Sequence, residues 1–120
     1  MLNLDTHILI FILEDKLTAK EQRILLSDQW GISSIVIWEI AKLAQLGRIG
    51  VGIDDPDFVH VLQRLTVWPI DRDVCRAMCT LDFRADPSDE LIAATSIVHN
   101  APLVTRDRRI LVSRVTPLSS

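Results

Sequence analysis

The chain has 120 residues, of which 48% are hydrophobic, and its formal net charge is -3. This size and composition predict a single domain over residues 1–120 with a hydrophobic core. The acidic balance excludes a protein held on nucleic acid by bulk positive charge, so an anionic substrate would need local cations. The longest apolar run, residues 8–13, is too short to cross a membrane, and Asp5 interrupts any N-terminal signal sequence, so we expect a cytoplasmic protein.

The first half of the chain predicts two short strands and three helices. Residues 1–5 predict the first strand, and Thr6 caps the buried helix formed by the apolar run that follows. Thr18 and Glu21 have the spacing of a capping box at the start of a second helix. The remaining elements are a strand over residues 30–34 and a helix that begins at Ser33 or Ser34 and ends before Gly47.

The second half continues the alternation of short strands with helices. Its predicted elements are a helix opened by Asp55 and Pro56, a strand over 66–70, a helix over 71–83, a helix over 86–100 that Asp86 caps, a strand over 101–107, a short helix over 107–113 and a last strand near 114–118. Such alternation predicts a parallel sheet covered by helices on both faces. In sheets of this kind, ligands bind at the carboxyl ends of the strands.

Four carboxylates are candidates for a shared site at that edge. Asp5 ends the first strand and Asp107 follows the fourth by two residues, so both are expected at the carboxyl edge. Asp89 lies in the first turn of one helix and Glu39 in the second turn of another, and all four converge if those helix starts face the same edge. Like charges this close need a cation between them. Oxygen ligands without thiolate or imidazole favour Mg²⁺ or Mn²⁺.

Each of these carboxylates also has an ordinary structural interpretation. Asp5 and Asp107 can cap the helices that follow them, and Glu39 can pair with a lysine one helical turn away on a surface. Asp89 can complete a capping box that Asp86 begins, and we interpret Asp86 itself as a helix cap. The neighbours of Glu39 are apolar, which favours a buried or cleft-facing side chain over a surface pair.

The cysteine and histidine residues do not predict a second site. Cys75 and Cys79 stand four residues apart in a helical segment, without a matching Cys or His at metal-ligand spacing. We therefore predict that they are buried free thiols in a reducing cytosol. His7 lies near the expected site, but the chain supplies no His-based catalytic triad, so no chemistry is assigned to it.

Four segments of the chain together resemble the PIN-domain nucleases, and most closely the VapC-type toxins of bacterial toxin–antitoxin pairs. The segments are LDTHILI, SSIVIWEIAKLAQLGRI, DPSDELIAATS and LVTRDRRI, in that order along nearly the whole chain. The resemblance implies a PIN-like three-layer α/β/α sandwich with a short central parallel sheet. It also implies a metal-dependent endoribonuclease that hydrolyses RNA phosphodiesters with Mg²⁺ or Mn²⁺ as cofactor.

The resemblance assigns roles to two sets of residues. The family's acidic positions, which bind metal and carry catalysis, are matched by Asp5, Glu39, Asp89 and Asp107. Hydroxyl positions that orient carboxylates or water beside the site are matched by Thr6 and Thr105. The chain departs from the family at Glu90, because many relatives carry Arg directly after the third acidic residue. Glu90 is rotated from Asp89 by about 100° around the helix, so we expect the metal site to survive.

Basic residues near these positions are candidates for contacts with RNA phosphates. Arg106, Arg108 and Arg109 surround Asp107, and Lys42 lies in another helix that carries a candidate carboxylate. Of these, we predict substrate contacts for Arg106, Arg108 and Lys42, whose charge can engage phosphate directly. The alternative for each is a solvated surface residue without function.

The apolar helices contain more hydrophobic surface than one small core requires, which favours a protein partner. The resemblance implies a homodimer and a cognate antitoxin that occupies the acidic cleft. As a hypothesis, the antitoxin inserts a basic side chain there and competes with metal or substrate.

Three other functions are alternatives to the nuclease. A binding-only relative that grips RNA would not need the complete acidic quartet. A receiver-type phosphoacceptor domain fits the length, but its first strand would end in an acidic pair, and a Lys would follow a late strand. An aspartate-nucleophile phosphatase would need a second Asp at the position that His7 occupies.

Overall fold

The computed structural model describes residues 1–119, which form a four-stranded parallel sheet flanked by helices. The strands are β1 (Leu2–Leu4), β2 (Trp30–Ser33), β3 (Thr66–Trp68) and β4 (Leu103–Val104). The helices are α1 (Thr6–Glu14), α2 (Ala19–Leu25), α3 (Ser34–Gln45), α4 (Pro56–Arg64), α5 (Arg72–Met78), α6 (Pro87–His99) and α7 (Arg108–Leu111). The strands lie in the order β3-β2-β1-β4, and each neighbouring pair is parallel. None of the helices within this range has the length and hydropathy required to cross a bilayer.

Most helix boundaries lie where the capping residues predict them. The Thr18 side chain accepts a hydrogen bond from the Glu21 backbone N–H, and the Glu21 carboxylate accepts one from the Thr18 N–H, so the capping box is complete. Ser33, the first of the two candidates, caps α3 by accepting from the Ile35 N–H. Gly47 follows the end of α3 with a φ of 71°, a left-handed conformation that glycine adopts without a steric penalty.

The predicted last strand near residues 114–118 is wrong, because only one bridge forms there. Leu118 pairs with Leu103 in a parallel bridge, and the Leu103 N–H donates to the Pro117 carbonyl at 2.9 Å. Pro117 has no N–H, so it cannot extend a ladder toward the preceding residues. The segment therefore covers the outer side of β4 with a single bridge.

The prediction that Cys75 and Cys79 are buried is also wrong, since both side chains are exposed. The helix that carries them, α5, buries only Val74 among its own residues and ends at Met78. Cys75 follows Val74 by one position, which turns it about 100° away, and Cys79 lies four residues further on the same side. Both thiols therefore lie on the outer face of α5.

The core is centred on β1, whose three residues are all buried. Helix α6 contacts β1, β2 and α3, and its central residues Ile92–Ser96 are buried. A polar side chain, Asn3, lies at the centre of this packing and is fully buried. Its Nδ2 donates to the Ile92 carbonyl at 3.0 Å and to Ser96 Oγ at 2.8 Å. Asn3 thus fixes α6, which carries Asp89, against the strand that ends at Asp5.

We expect the replacement Asn3→Leu to be tolerated much better than the nearly isosteric Asn3→Asp. Asn3 Oδ1 has no hydrogen-bond partner among residues 1–119, so Leu removes an unsatisfied acceptor, although it also loses the two hydrogen bonds that Nδ2 donates. Asp loses the same two hydrogen bonds and in addition places an unpaired charge in the core, at a cost of about 3–5 kcal/mol, against about 1–2 kcal/mol for Leu. Urea unfolding of both variants measures the difference. A larger loss for Leu than for Asp would contradict this account.

Candidate functional site

The acidic residues are brought to one end of the sheet by two neighbouring parallel strands and the helices beside them. Asp5 directly follows β1, and Asp107 lies just beyond β4, which pairs with β1. Glu39 lies in the second turn of α3, and Asp89 is the third residue of α6. Helix α3 begins directly after β2, whereas α6 is joined to β3 through α5. The hydrogen bonds of Thr6 and Thr105 and the ion pairs of Arg109 connect the four side chains at the carboxyl ends of β1 and β4.

Asp5 is 4% exposed and is held on both carboxylate oxygens. Its Oδ1 accepts from the Thr6 backbone N–H at 2.8 Å, and its Oδ2 accepts from Thr105 Oγ1 at 2.5 Å. Burial raises the pKa of Asp5 above its ordinary value of 3.8, and the charge of Glu39 adds to the rise, while the two hydrogen bonds and His7 oppose it. The helix-capping interpretation of Asp5 is therefore correct. The two hydrogen bonds leave further lone pairs on the Asp5 carboxylate that a cation could use.

Thr105 connects Asp5 to Asp107. Its hydroxyl donates to Asp5 and accepts from the Asp107 backbone N–H at 3.0 Å. Asp107 caps α7, because its Oδ1 accepts from the N–H groups of Arg109 and Ile110 at 2.8 and 3.4 Å. The contacts that Asp107 makes with other described residues all involve Oδ1, so Oδ2 is available to a ligand. One hydroxyl thus fixes the relative position of two carboxylates from distant parts of the chain.

Glu39 is held by a second threonine. Thr6 Oγ1 donates to Glu39 Oε1 at 2.5 Å, which joins the first residue of α1 to α3. The surface ion pair considered for Glu39 does not form, because Lys42 Nζ donates to Gln45 Oε1 at 2.8 Å instead. Glu39 is therefore oriented toward the end of β1 by a neutral donor, with its charge uncompensated by that contact.

The pKa of Asp89 reflects its burial and the negative charges of the other three carboxylates. Its pKa is raised from 3.8 to about 7, first by burial and then by the negative charges of Asp5, Asp107 and Glu39, with a smaller contribution from Asp86. Burial disfavours the charged form of the carboxyl group, and the three nearby carboxylates disfavour it further. The site therefore carries more negative charge than its own residues neutralise.

The interpretation of Asp86 as a capping carboxylate is wrong. Asp86 occupies the N-cap position of α6, but its side chain makes no capping hydrogen bond. Glu90 supplies the local contact instead, since its Oε2 accepts from the Ala85 N–H at 3.2 Å. Glu90 is thus occupied by the loop before α6.

The oxygen donors at this site fit a hard divalent cation. Among residues 1–119, no three His, Cys, Asp or Glu side chains are arranged in metal-ligating geometry. The donor set nevertheless consists of carboxylates alone, which suits Mg²⁺ or Mn²⁺. Asp107 Oδ2 makes no hydrogen bond or ion pair with another described residue and is available to such an ion.

Arg106, a predicted substrate contact, is already engaged by other residues. Its Nε and Nη2 each donate to one oxygen of the Glu21 carboxylate at 2.7 Å, and Nη2 also donates to the Lys16 carbonyl at 3.1 Å. The guanidinium lies 4.0 Å from the centre of the Phe11 ring. The hydrogen bond from Arg106 holds the pKa of Glu21 at about 2. Arg106 therefore connects the segment after β4 to α2 through its hydrogen bonds to Glu21.

The other predicted basic contacts are exposed. Arg108, the first residue of α7, is exposed, as is Lys42 on α3. The structure adds Arg109, which the sequence groups with its neighbours without distinguishing it. Arg109 Nη2 lies 3.7 Å from Asp89 Oδ2, and its Nε lies 3.8 Å from Asp107 Oδ1. In the sequence, Arg109 is marked only by its position two residues after Asp107. That position does not show that the Arg109 side chain turns toward Asp89.

The chain matches the family model of the PIN domain over residues 3–115. It is also 34% identical over 95 residues to the ribonuclease VapC22 of Mycobacterium tuberculosis, covering 77% of this chain and 73% of that protein. The chain belongs to the PIN-domain family, of VapC type. The four carboxylates and both threonines described above lie within the matched range.

Solved structures share the PIN fold of this chain at low sequence identity. VapBC2 from Rickettsia felis, bound to a promoter DNA fragment, superimposes with a TM-score of 0.74 at 20% identity and covers 99% of this chain and 98% of that chain. A toxin–antitoxin complex from Klebsiella pneumoniae gives 0.71 at 20% identity, over 93% of this chain and 91% of that chain. These likenesses confirm the predicted three-layer sandwich with a short parallel sheet. Membership in the PIN family also excludes the receiver and phosphatase alternatives.

Proposed function

We propose that this PIN domain is a metal-dependent endoribonuclease and the toxin of a type II toxin–antitoxin pair. The observation that carries the proposal is that Thr6, Thr105 and Arg109 contact all four carboxylates at the carboxyl ends of β1 and β4. Similarity to a protein named as the ribonuclease VapC22 supports RNA as the substrate. Similarity in fold to VapBC and toxin–antitoxin complexes supports the biological setting.

In the proposed reaction, the four acidic residues hold one or two Mg²⁺ or Mn²⁺ ions. These residues are Asp5, Glu39, Asp89 and Asp107. When bound, the ion supplies an activated water and offsets the negative charge that develops on phosphorus. Thr105 and Thr6 keep the carboxylates oriented through the hydrogen bonds they donate to Asp5 and Glu39. No side chain forms a covalent bond with the RNA.

Exposed basic residues beside the acidic site provide the contacts with the RNA backbone. Arg108 lies at the start of α7, directly after Asp107, and its side chain is exposed. Lys42 lies one turn after Glu39 on α3 and is also exposed. Arg106 contributes positive potential at the same edge, although its hydrogen bonds are made to Glu21. Local positive charge is necessary because the chain as a whole is acidic.

The proposed partners are a cognate antitoxin and a second copy of the chain. Large apolar side chains are exposed around the helices, including Trp38 at 58% on α3, Leu46 at 55% directly after α3 and Leu26 at 86% directly after α2. Exposed apolar surface of this kind favours association with protein. The uncompensated charge around Asp89 would attract a basic side chain from the antitoxin, which would then block metal or RNA.

Mapping of new RNA 5′ ends tests the proposed activity. The chain is expressed in a bacterium, with Asp89→Asn as the matched control, and the purified proteins are then assayed on the RNA identified, with Mn²⁺ or with EDTA. We expect new ends and growth inhibition from the wild type alone, and cleavage in vitro that EDTA abolishes and Mn²⁺ restores. Equal 5′ ends in wild type and control would contradict the proposal.

A binding-only PIN scaffold is the second candidate, and one observation favours it. The carboxylates among residues 1–119 do not occupy metal-ligating positions in the absence of an ion. A scaffold would bind RNA with little dependence on Mn²⁺ and would not cleave it. Calorimetric titration with Mn²⁺, compared with cleavage by the same preparation, separates the two functions.

A further inference from the structure

The guanidinium of Arg109 lies between two carboxylates of the acidic site. Among residues 1–119, its guanidinium is the cationic group found within ion-pair distance of Asp89 and Asp107, at 3.7 and 3.8 Å. These two carboxylates come from α6 and from the end of β4, and both are proposed metal ligands. One guanidinium therefore spans two ligands that a divalent ion would also span.

The contacts of Arg109 are electrostatic and are not directed hydrogen bonds. Charge-assisted N–H···O bonds are about 2.7–2.9 Å long, and the two distances here exceed that range by almost 1 Å. Arg106 is different, because it donates to both oxygens of Glu21 at 2.7 Å. Arg109 is therefore attracted to the acidic site without being fixed in it.

The Arg109 side chain can leave the site without a change in the backbone. It is 54% exposed, so solvent is directly accessible to the guanidinium. Its own backbone N–H is held at 2.8 Å by Asp107 Oδ1, which keeps α7 in place whichever way the side chain turns. Rotation about the side-chain bonds is sufficient to release it.

A divalent cation and the Arg109 guanidinium compete for the same two carboxylates. Mg²⁺ would need oxygens of Asp89 and Asp107 within about 2.0–2.1 Å, and Arg109 lies 3.7 and 3.8 Å from one oxygen of each. The charge of the ion would repel the guanidinium at that separation, even if the ion took the other oxygen of each carboxylate. Binding of the ion therefore favours departure of Arg109.

We propose that Arg109 is a built-in counter-cation of the acidic site, which partly offsets the charge of Asp89 and Asp107 and is displaced when a divalent ion binds. This inference rests on the proposed metal site. It assigns Arg109 a role in metal affinity that neither Arg108 nor Arg106 shares. The protein thereby keeps its carboxylates together before the ion arrives, at the cost of weaker ion binding.

Calorimetric titration of the whole chain with Mn²⁺, without RNA, tests this role. Arg109→Gln removes the charge and keeps the length of the side chain, and Arg108→Gln makes the same charge change one residue away on the exposed start of α7. We expect Arg109→Gln to lower the Mn²⁺ Kd about three- to fivefold relative to Arg108→Gln, the size typical of a partly exposed ion pair. Arg109→Lys, which keeps the charge, should stay close to wild type.

Thermal unfolding of the same proteins in EDTA and in saturating Mn²⁺ gives a readout independent of RNA cleavage. Arg109→Gln should have a lower Tm than Arg108→Gln in EDTA and a larger rise on adding Mn²⁺, because its carboxylates repel one another until the ion binds. Equal Mn²⁺ affinities of the two Gln variants, or a weaker affinity of Arg109→Gln, would overturn the counter-cation role alone. Absence of Mn²⁺ binding by every protein would overturn the metal site and, with it, this role.

Discussion

The Asp89→Asn variant is expected to lose RNA cleavage and, at the same time, to unfold at a higher temperature than the wild type in EDTA above pH 7. Loss of a metal ligand should reduce the cleavage rate by at least about 100-fold, since even residues that support ligands account for 10- to 100-fold. The gain in stability follows from the raised pKa of Asp89, which is about 7 in the folded protein and 3.8 ordinarily. The folded protein disfavours the negative charge of the Asp89 carboxylate, and the neutral amide of Asn does not carry that charge.

The pH dependence gives the sign of this effect. Below pH 3.8, Asp89 is protonated in both the folded and unfolded states and the carboxylate has no effect on stability. Between pH 3.8 and about 7 the folded state binds more protons than the unfolded state, so the free energy of unfolding falls as pH rises. Above about 7 the full penalty is present. Unscreened, it would be about 4 kcal/mol, and solvent screening at this half-buried site reduces it to about 1–2 kcal/mol.

Thermal unfolding of wild type and Asp89→Asn from pH 4 to pH 8 measures the effect. Their Tm values should converge at the acidic end and separate by roughly 3–6 °C at the alkaline end, with the variant higher. Mn²⁺ should raise the Tm of the wild type and leave that of the variant almost unchanged. A variant less stable than wild type at pH 8 in EDTA would mean that Asp89 is not strained by its neighbours.

Thr105→Val is expected to reduce cleavage about 10- to 100-fold with the fold retained. Valine has nearly the shape of threonine but lacks the hydroxyl that donates to Asp5 and accepts from the Asp107 N–H. Both proposed ligands would lose an orienting contact at once, and the Asp107 N–H would lose its acceptor, with a cost of about 1–2 kcal/mol in unfolding free energy. Mn²⁺ binding should weaken about tenfold for the same reason.

Thr105→Ser is the matched control, because it keeps the hydroxyl and removes only a methyl group. Its cleavage rate and its Mn²⁺ affinity should both stay within a few-fold of wild type. Cleavage assays, Mn²⁺ calorimetry and urea unfolding of the two variants separate orientation of the carboxylates from a general loss of packing. If Ser is as impaired as Val, the hydroxyl does not act through Asp5 and Asp107.

Local signals in the sequence were sufficient for most of the fold. The reciprocal bonds of Thr18 and Glu21 depend on residues three positions apart, and Gly47 needs only its own left-handed conformation. These features form within one turn and do not depend on the rest of the chain. The exposure of Cys75 and Cys79 was predicted wrongly because it depends on which face of α5 meets α6, which the short helix does not specify.

The candidate site was predictable in part. Asp5 and Asp107 could be placed from the rule that parallel strands end at one edge, whereas Glu39 and Asp89 needed the family resemblance, because the direction of a helical side chain depends on packing. The double contact of Thr105 could not be foreseen, since it joins residues 100 positions apart. The same holds for Arg109, whose side-chain rotamer distinguishes it from Arg108.

The strand order has a consequence for how the protein is made. The central strand β1 is synthesised first, but its neighbour β4 lies about a hundred residues later in the chain. The ribosome must release residues beyond Asp107 before β4 can dock and bring the last carboxylate to the others. In the proposed nuclease, a nascent chain therefore lacks the fourth carboxylate until residues beyond Asp107 are made, and fragments that end before β4 should not cleave RNA.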